Sequence, residues 1–336
     1  MYDILSMGLD ELSDALGAIG EKPYRAKQIF LHLHGKKAVS FDEMTDLSKD
    51  LRHKLPQLFA LYDTKVLKIQ KSLKDNTQKY LLEPAENTII ESVLMNYSYG
   101  DTICISSQDG CKMGCVFCAS GLNGFTRDLS PGEMLSQVYA VERESQRRVS
   151  RCVIMGQGEP FDNFDNTMKF ISLINQKYGH GMGARNITVS TCGIVPKIKV
   201  FADLNNQVNL SVSLHAPNDD VRRKLMKISG TYGYGELMSV CNYYTKTTNR
   251  RITFEYALIK GINDTAAQAK ELSSKLKGML CHVNLIPLNE TGNEYKKSKN
   301  SAAFLNVLTK NGVSATIRRE LGSDIDAACG QLRNRR

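Results

Sequence analysis

The chain has 336 residues and a formal charge of +9, from 44 Lys and Arg against 35 Asp and Glu; its 42% hydrophobic and 24% charged fractions are those of an ordinary globular protein. This composition excludes disorder as the default, allows one large domain or two moderate ones, and favours a polyanionic partner without choosing between nucleic acid and an anionic membrane. Nine cysteines are too sparse for a disulfide scaffold, no signal-like segment opens the chain, no window approaches the roughly 18 apolar residues of a spanning helix, and Trp is absent; the expectation is a reducing, cytoplasmic setting with no membrane residence.

Residues 1–62 read as a small helical accessory domain. Apolar positions recur three and four apart in YRAKQIFLHLH, and FDEMTDLSKDLRHKL suits a further helical pair. Over 63–96 the runs TKVLKIQKSL, TQKYLLEP and TIIESVLMN alternate like strands between the turn-prone KDN and AEN, which predicts a short linking β unit.

Over 97–336, six short apolar runs (ICISS, RCVIMG, NITVST, VNLSVSLH, RITFEYAL, HVNLIPL) are mostly separated by enough residues for a crossover helix. The predicted fold is therefore α/β, a partial (β/α)6 barrel, with SATIRR as an added edge strand. NETGNEYKKSKNS reads as an exposed loop and RNRR as a frayed end. Polar residues gather at the carboxyl ends of the predicted strands, where a parallel α/β architecture builds its site: the cysteine loop after ICISS, Gly156 to Pro160, Ser190-Thr191 and His215.

Cys111, Cys115 and Cys118 form a CxxxCxxC array of soft thiolates suited to iron–sulfur or zinc and unsuited to calcium or magnesium. Structural zinc needs a fourth ligand, for which Cys104 or a remote histidine is a candidate; three ligands on a cluster would leave one iron open to a substrate chelate. The segment Gly156-Gln157-Gly158-Glu159-Pro160 lacks the dinucleotide fingerprint and the Walker lysine. It is either a plain Gly/Pro turn or a backbone cradle in which Glu159 offers a carboxylate to an ammonium group.

CKMGCVFC resembles the radical S-adenosylmethionine signature, including the aromatic residue before the third cysteine. That resemblance implies a [4Fe-4S] cluster on Cys111, Cys115 and Cys118, whose open iron chelates S-adenosylmethionine and whose reduction releases a 5′-deoxyadenosyl radical. Over essentially its whole length the chain resembles the RlmN/Cfr family of RNA adenine methyltransferases, through IESV, CISSQDGCKMGCVFCAS, GFTRDLS, MGQGEP, VSTCGIVP, SLHAPND, RITFEYALIKGIND, HVNLIPLN and DIDAACGQL. Chemical need agrees with a radical route, because C2 of adenine is an electron-poor amidine carbon that cannot attack a methyl sulfonium.

The family resemblance implies that Cys329 carries the methyl group, that Cys104 resolves the RNA adduct through a transient disulfide, and that Glu91 is the general base. It places S-adenosylmethionine against Gly158, Glu159, Ser190, Ser213, Leu214, His215 and Asn289. Taken alone, Cys329 reads as a buried structural cysteine, Glu91 as a solvated edge acid, His215 as a structural ring and Asn289 as a loop cap. Gln157 departs from the methionine common in the family's GMGEP segment, which puts local packing in question. The implied substrates are 23S rRNA, in its peptidyl-transferase region, and the tRNA adenine just 3′ of the anticodon. A one-electron reductant such as flavodoxin or ferredoxin and a monomeric enzyme are also implied.

Basic pairs at Arg147-Arg148, Arg222-Arg223, Lys296-Lys297, Arg318-Arg319 and Arg335-Arg336 are candidate phosphate contacts, although each alone reads as solvated surface. Two rival readings stand beside C2 methylation: C8 methylation of the same rRNA adenine, as in the Cfr branch, and a noncatalytic RNA-binding protein with structural zinc. SLHAPND, FEYALIKGIND, NLIPLN and GFTRDLS look more like the C2 branch.

Overall fold

The computed structural model describes residues 1–122, 124–289 and 294–332. The front of the chain comprises β1 (Tyr2–Asp3), α1 (Leu9–Gly17), α2 (Tyr24–Phe30), α3 (Lys49–Leu58) and β2 (Phe59–Ala60), with β1 and β2 paired in parallel. Helices α1 and α3 form where the sequence supplies caps: Glu11 accepts from the Gly8 N–H at 2.6 Å, and Ser48 Oγ from the Leu51 N–H at 3.2 Å. A π-helical turn over Leu31–Gly35 extends α2 and turns His32, Leu33 and His34 inward.

The chain then enters one ten-stranded sheet through β3 (Lys65–Lys71), β4 (Gln78–Ala85), β5 (Thr88–Tyr97) and β6 (Gly100–Ile105), each antiparallel to the one before it. A small ribbon, β7 (Gln108–Gly110) with β8 (Phe125–Asp128), brackets the cysteine loop. The crossovers follow: α4 (Pro131–Ser145), β9 (Arg151–Ile154), α5 (Phe164–Asn175), β10 (Ile187–Thr191), α6 (Val195–Asp203) and β11 (Asn209–Ser213). The chain ends with α7 (Asp219–Leu225), α8 (Tyr234–Thr248), β12 (Ile252–Leu258), α9 (Ala266–Leu276), β13 (Cys281–Pro287), α10 (Ser301–Lys310) and β14 (Ala315–Ile317).

The sheet order is β14-β13-β12-β11-β10-β9-β6-β5-β4-β3, parallel from β6 to β14. The six predicted barrel strands are β6 and β9 to β13, and SATIRR supplies β14 at the edge. The three strands after the helical front do not stand apart: β5 pairs with β6 and extends the barrel sheet.

Alternation along each strand sorts the side chains. Ile90, Leu94, Ile103, Ile105, Cys152, Ile154, Val189, Leu210, Val212, Phe254 and Leu285 enter the main core. The intervening residues on the other face include Glu91, Val93, Cys104, Ser190, Ser213 and Glu255; Ser190, Ser213 and Glu255 line one cavity, and Val93 and Cys104 a second. Helix α4 starts at Ser130, whose hydroxyl accepts from the Glu133 N–H while the Glu133 carboxylate accepts from the Ser130 N–H, with Pro131 in the first turn. The helical front docks on this helix: Ser6 Oγ accepts from the Gly132 N–H at 2.8 Å, Ser130 Oγ donates to Asp3 at 3.0 Å, and His34 Nδ1 lies 3.0 Å from the Tyr139 hydroxyl.

Candidate active site

One cavity opens at the carboxyl ends of the parallel strands. Cys111, Cys115, Cys118, Gly158, Glu159, Ser190, Ser213, His215, Asn289 and Cys329 all line it. A second cavity, which contains Cys104, shares Met155, Ile286, Asn289, Arg318 and Cys329 with the first. Of the sequence-predicted cofactor positions only Leu214 is absent from the lining. Its side chain is fully buried in the core, and its N–H donates to the Glu255 carbonyl of the neighbouring strand at 3.0 Å.

The cysteine loop is tied on both sides. Val116 N–H donates to Leu225 O at 3.1 Å and Ala119 N–H to Gly330 O at 2.7 Å, so the loop binds directly to the segment that carries Cys329. Ser120 Oγ donates to Leu332 O at 2.9 Å, and Asn289 Nδ2 to Cys329 O at 3.2 Å. All nine cysteines are free thiols. Burial pushes the Cys111 thiol up to about 11 and raises Cys115 and Cys118 as well; the neighbouring thiols add to the rise in Cys115. Among the described residues no group of three or more His, Cys, Asp or Glu side chains is drawn together to hold a single metal ion. The three loop thiols border a shared cavity instead of meeting at a point.

The glycine segment is a close backbone approach. Gly158 has φ +98°, and a Cβ there would lie 2.6 Å from Gln108 Cβ and 2.8 Å from the Gln108 backbone nitrogen. The plain-turn reading is thus too weak, because the turn is packed against β7 at the cavity wall. Glu159 is buried; one carboxylate oxygen accepts from the Phe161 N–H at 2.9 Å and the other from the Cys192 N–H at 2.7 Å. Burial outweighs these bonds and raises its pKa. Gln157 replaces a missing rung where β5 parts from β6: its Oε1 accepts from the Glu91 N–H at 3.1 Å, while Ser106 Oγ donates to Glu91 O at 2.8 Å. The departure at this position is therefore accommodated by a specific bond in the backbone of Glu91.

Glu91 is 2% exposed, so the solvated-edge reading fails. Its carboxylate lies 3.2 Å from Lys79 Nζ. Val93, two residues along β5 on the same face, pairs with Cys104, which brings the acid and the predicted resolving thiol to one wall. Burial pushes the Cys104 thiol up to about 12, and Cys329 adds to the rise while Arg318 opposes it. His215, at φ +54°, accepts from the Ala257 N–H through Nδ1 at 2.9 Å, and its ring meets Phe117 edge-on at 4.8 Å. Burial pushes its pKa down to about 3, so the imidazole is neutral with its remaining proton on Nε2.

Among the basic pairs, Arg222 is not a surface residue. Arg222 is fully buried and donates to Leu214 O, Ser213 O, Cys192 O and Ser229 Oγ at 2.5–3.3 Å, fastening the ends of β10 and β11. Arg147 pairs with Asp101 at 2.5 Å, Arg148 donates to His180 O at 2.8 Å, and Lys297 pairs with Glu320. Arg318 faces the two cavities; Arg335-Arg336 lie outside the described residues. Sequence reasoning missed Lys79 and Glu255, and took Arg222 and Arg318 only as members of basic pairs. Glu255 accepts from Ser211 Oγ and Asn284 Nδ2, both at 2.8 Å, inside the barrel. A carboxylate flanked by Phe254 and Tyr256 in an apolar strand was the available signal for it.

This fold and its cysteine loop define a radical S-adenosylmethionine enzyme. The Radical SAM superfamily model matches residues 105–271, and the model of the ribosomal RNA large subunit methyltransferase N-terminal domain matches residues 2–61. The chain is 51% identical over its whole length to a probable dual-specificity RNA methyltransferase RlmN of Lachnospira eligens, of which 97% is covered. It is 49% identical over 99% of its length to the protein of the same name from Clostridium novyi, covering 98% of it. The crystal structure of a radical SAM methyltransferase from Sphaerobacter thermophilus superposes with a TM-score of 0.96 at 43% identity, covering 100% of both chains. The chain belongs to the RlmN family of radical S-adenosylmethionine RNA methyltransferases. Use of S-adenosylmethionine and an iron–sulfur centre follows from that membership, and three thiols around a cavity with polar strand ends fit the pair.

Proposed function

We propose that this enzyme methylates C2 of adenine, in the peptidyl-transferase region of 23S rRNA and next to the anticodon in tRNA. The observation that carries the reading is the joining of two cavities through Cys329: the three loop cysteines line one and Cys104 lines the other. Cys111, Cys115 and Cys118 would hold a [4Fe-4S] cluster. Gly158, Glu159, Ser190, Ser213, the Leu214 backbone, His215 and Asn289 would hold S-adenosylmethionine. Together the two groups, when bound, supply one-electron cleavage of the sulfonium.

The chain's own side chains do the rest. Cys329 Sγ carries the methyl carbon to the base, Glu91 takes the proton from the substituted C2, and Cys104 closes on Cys329 as a disulfide while the methylated base leaves. Neutral His215 adds a hydrogen-bond donor to the wall without placing a second cation beside the sulfonium. Residues 1–62 act as the accessory domain, 63–96 as the linking β unit and 97–336 as the catalytic domain. The setting is a monomer in the cytoplasm, served by a flavodoxin- or ferredoxin-like reductant.

The test is anaerobic reconstitution with rRNA and tRNA, followed by nucleoside mass spectrometry. The expected product is 2-methyladenosine; 8-methyladenosine in its place overturns the regiochemistry, and one zinc without iron or sulfide overturns the cofactor. Cys329→Ala should abolish product, and Cys104→Ala should trap RNA on the protein in denaturing gels. Full turnover by either variant rejects its assigned role.

A further inference from the structure

We propose that Lys79 is a positioning residue, whose ammonium holds the Glu91 carboxylate and the Cys329 loop in one fixed relation. The proposal rests on the reading of Glu91 as base and Cys329 as methyl carrier, and deepens it. Lys79 lies on β4, its side chain 7% exposed, with Nζ 3.2 Å from Glu91 Oε1. The same Nζ donates to Asp326 O at 3.3 Å, three residues before Cys329. Register explains the reach. Leu81 pairs with Glu91 and Lys79 with Val93, so Lys79 and Glu91 are diagonal neighbours on one face, and Val93 pairs onward with Cys104.

The loop that Lys79 holds has no regular structure of its own. Asp326 sits at φ +49°, in the left-handed region that Asp enters more readily than most non-glycine residues. The β3–β4 turn supplies further restraints: Ser72 Oγ and the Leu73 N–H donate to the Asp324 carboxylate at 2.7 and 3.0 Å, and Asp75 accepts from the Gly322 N–H at 2.9 Å. Those contacts fasten the loop from outside, whereas Lys79 alone among them also touches the base. A buried ammonium is costly unless paired, and a contact needed for packing alone is made as well by an apolar side chain. A cation at this point does what an apolar residue cannot, fixing one carboxylate oxygen and one loop carbonyl at a common centre. This fixes the Glu91 carboxylate in relation to the loop that carries Cys329.

The experiment uses the full chain, reconstituted anaerobically, as wild type, Lys79→Met, Lys79→Arg, Glu91→Gln and the Lys79→Met/Glu91→Gln double variant. Three readouts are taken: methylation of Cys329 by peptide mass, covalent RNA–protein adduct on denaturing gels, and turnover to 2-methyladenosine. Lys79→Met is expected to keep Cys329 methylation within about twofold of wild type while turnover falls about 10- to 100-fold and adduct accumulates, the signature of a displaced base. Lys79→Arg, which keeps a cation with several donors, should restore most of the turnover. In the Glu91→Gln background, Lys79→Met should change turnover less than about twofold, because the two residues act as one unit.

Normal turnover by Lys79→Met beside an inactive Glu91→Gln overturns this proposal alone. Parallel loss of Cys329 methylation and turnover, or an independent further loss in the double variant, reduces Lys79 to loop support and also overturns it. Full turnover by Glu91→Gln instead overturns the reading of Glu91 as base, and the proposal with it. If Lys79→Met fails to fold, the double variant, which removes both charges, is compared with Glu91→Gln on the same readouts.

Discussion

His34 provides a direct test of how the helical front is locked to the catalytic barrel. The ring is fully buried, tilted at 43° against Phe30 with centroids 4.3 Å apart and bonded to Tyr139 of α4, and burial pushes its pKa down to about 3 from 6.5. The unfolded chain therefore binds a proton that the folded chain refuses between about pH 6.5 and 3. The stability involved is fully present above 6.5 and is lost as the pH falls through that window. Each pH unit below 6.5 costs about 1.4 kcal/mol, so lowering the pH from 7 to 5 costs about 2 kcal/mol through this one group.

Asp3 and Glu159, whose carboxyls are raised by burial, act in the opposite direction, and His215 in the same one. The total slope therefore does not isolate His34, but a difference of differences does. His34→Phe keeps a ring against Phe30 and removes the titration; the orphaned Tyr139 hydroxyl costs the same at both pH values and cancels. Urea unfolding of wild type and variant at pH 7 and pH 5 should show the acid-induced loss smaller in the variant by about 2 kcal/mol. Equal losses in the two proteins would refute the assignment, since they would mean that the native ring takes up its proton freely.

Gly158→Ala forces a Cβ to 2.6 Å from Gln108 Cβ at φ +98°, and strain of about 1–3 kcal/mol should weaken S-adenosylmethionine binding about 5- to 150-fold in calorimetric titration; unchanged affinity contradicts the close-approach reading. Arg222→Met should cost about 3 kcal/mol in urea unfolding, because the carbonyls of Cys192, Ser213 and Leu214 lose a buried donor. Unchanged stability with weakened RNA binding would return Arg222 to the surface role its sequence context predicts. Ser130→Ala removes the cap of α4 and the bond to Asp3, and should cost about 1 kcal/mol or slightly more; a variant as stable as wild type shows that neither bond contributes.

Local chemistry was legible wherever it depended on short spacing. The CxxxCxxC loop, the glycines of the GQGEP turn and the six apolar strand runs are local signals, and each lies where its pattern predicted. The long-range roles were not. Arg222 and Arg223 are adjacent identical residues, yet one is buried under three carbonyls and the other is exposed beside Asp219. Lys79 follows Gln78 in a strand with polar and apolar neighbours, so nothing local distinguishes a buried ammonium from a solvated one. The π-helical turn after α2 was equally hidden, because LHLHG satisfies α-helical spacing as well.

By itself, then, the sequence determined the class of chemistry: three thiols too close in the chain to be unrelated, strand runs of parallel-sheet character, and long ordered motifs of one family. The tertiary structure alone decided that the β3–β5 strands continue the barrel sheet, and thereby put Lys79, Glu91 and Cys104 on one wall facing the Cys329 loop from the far end of the chain. The physical reason is that strand register and sheet face are set by pairing between distant segments. A shift of one residue would turn Glu91 away from Lys79 and the Cys329 loop while leaving its sequence neighbours unchanged.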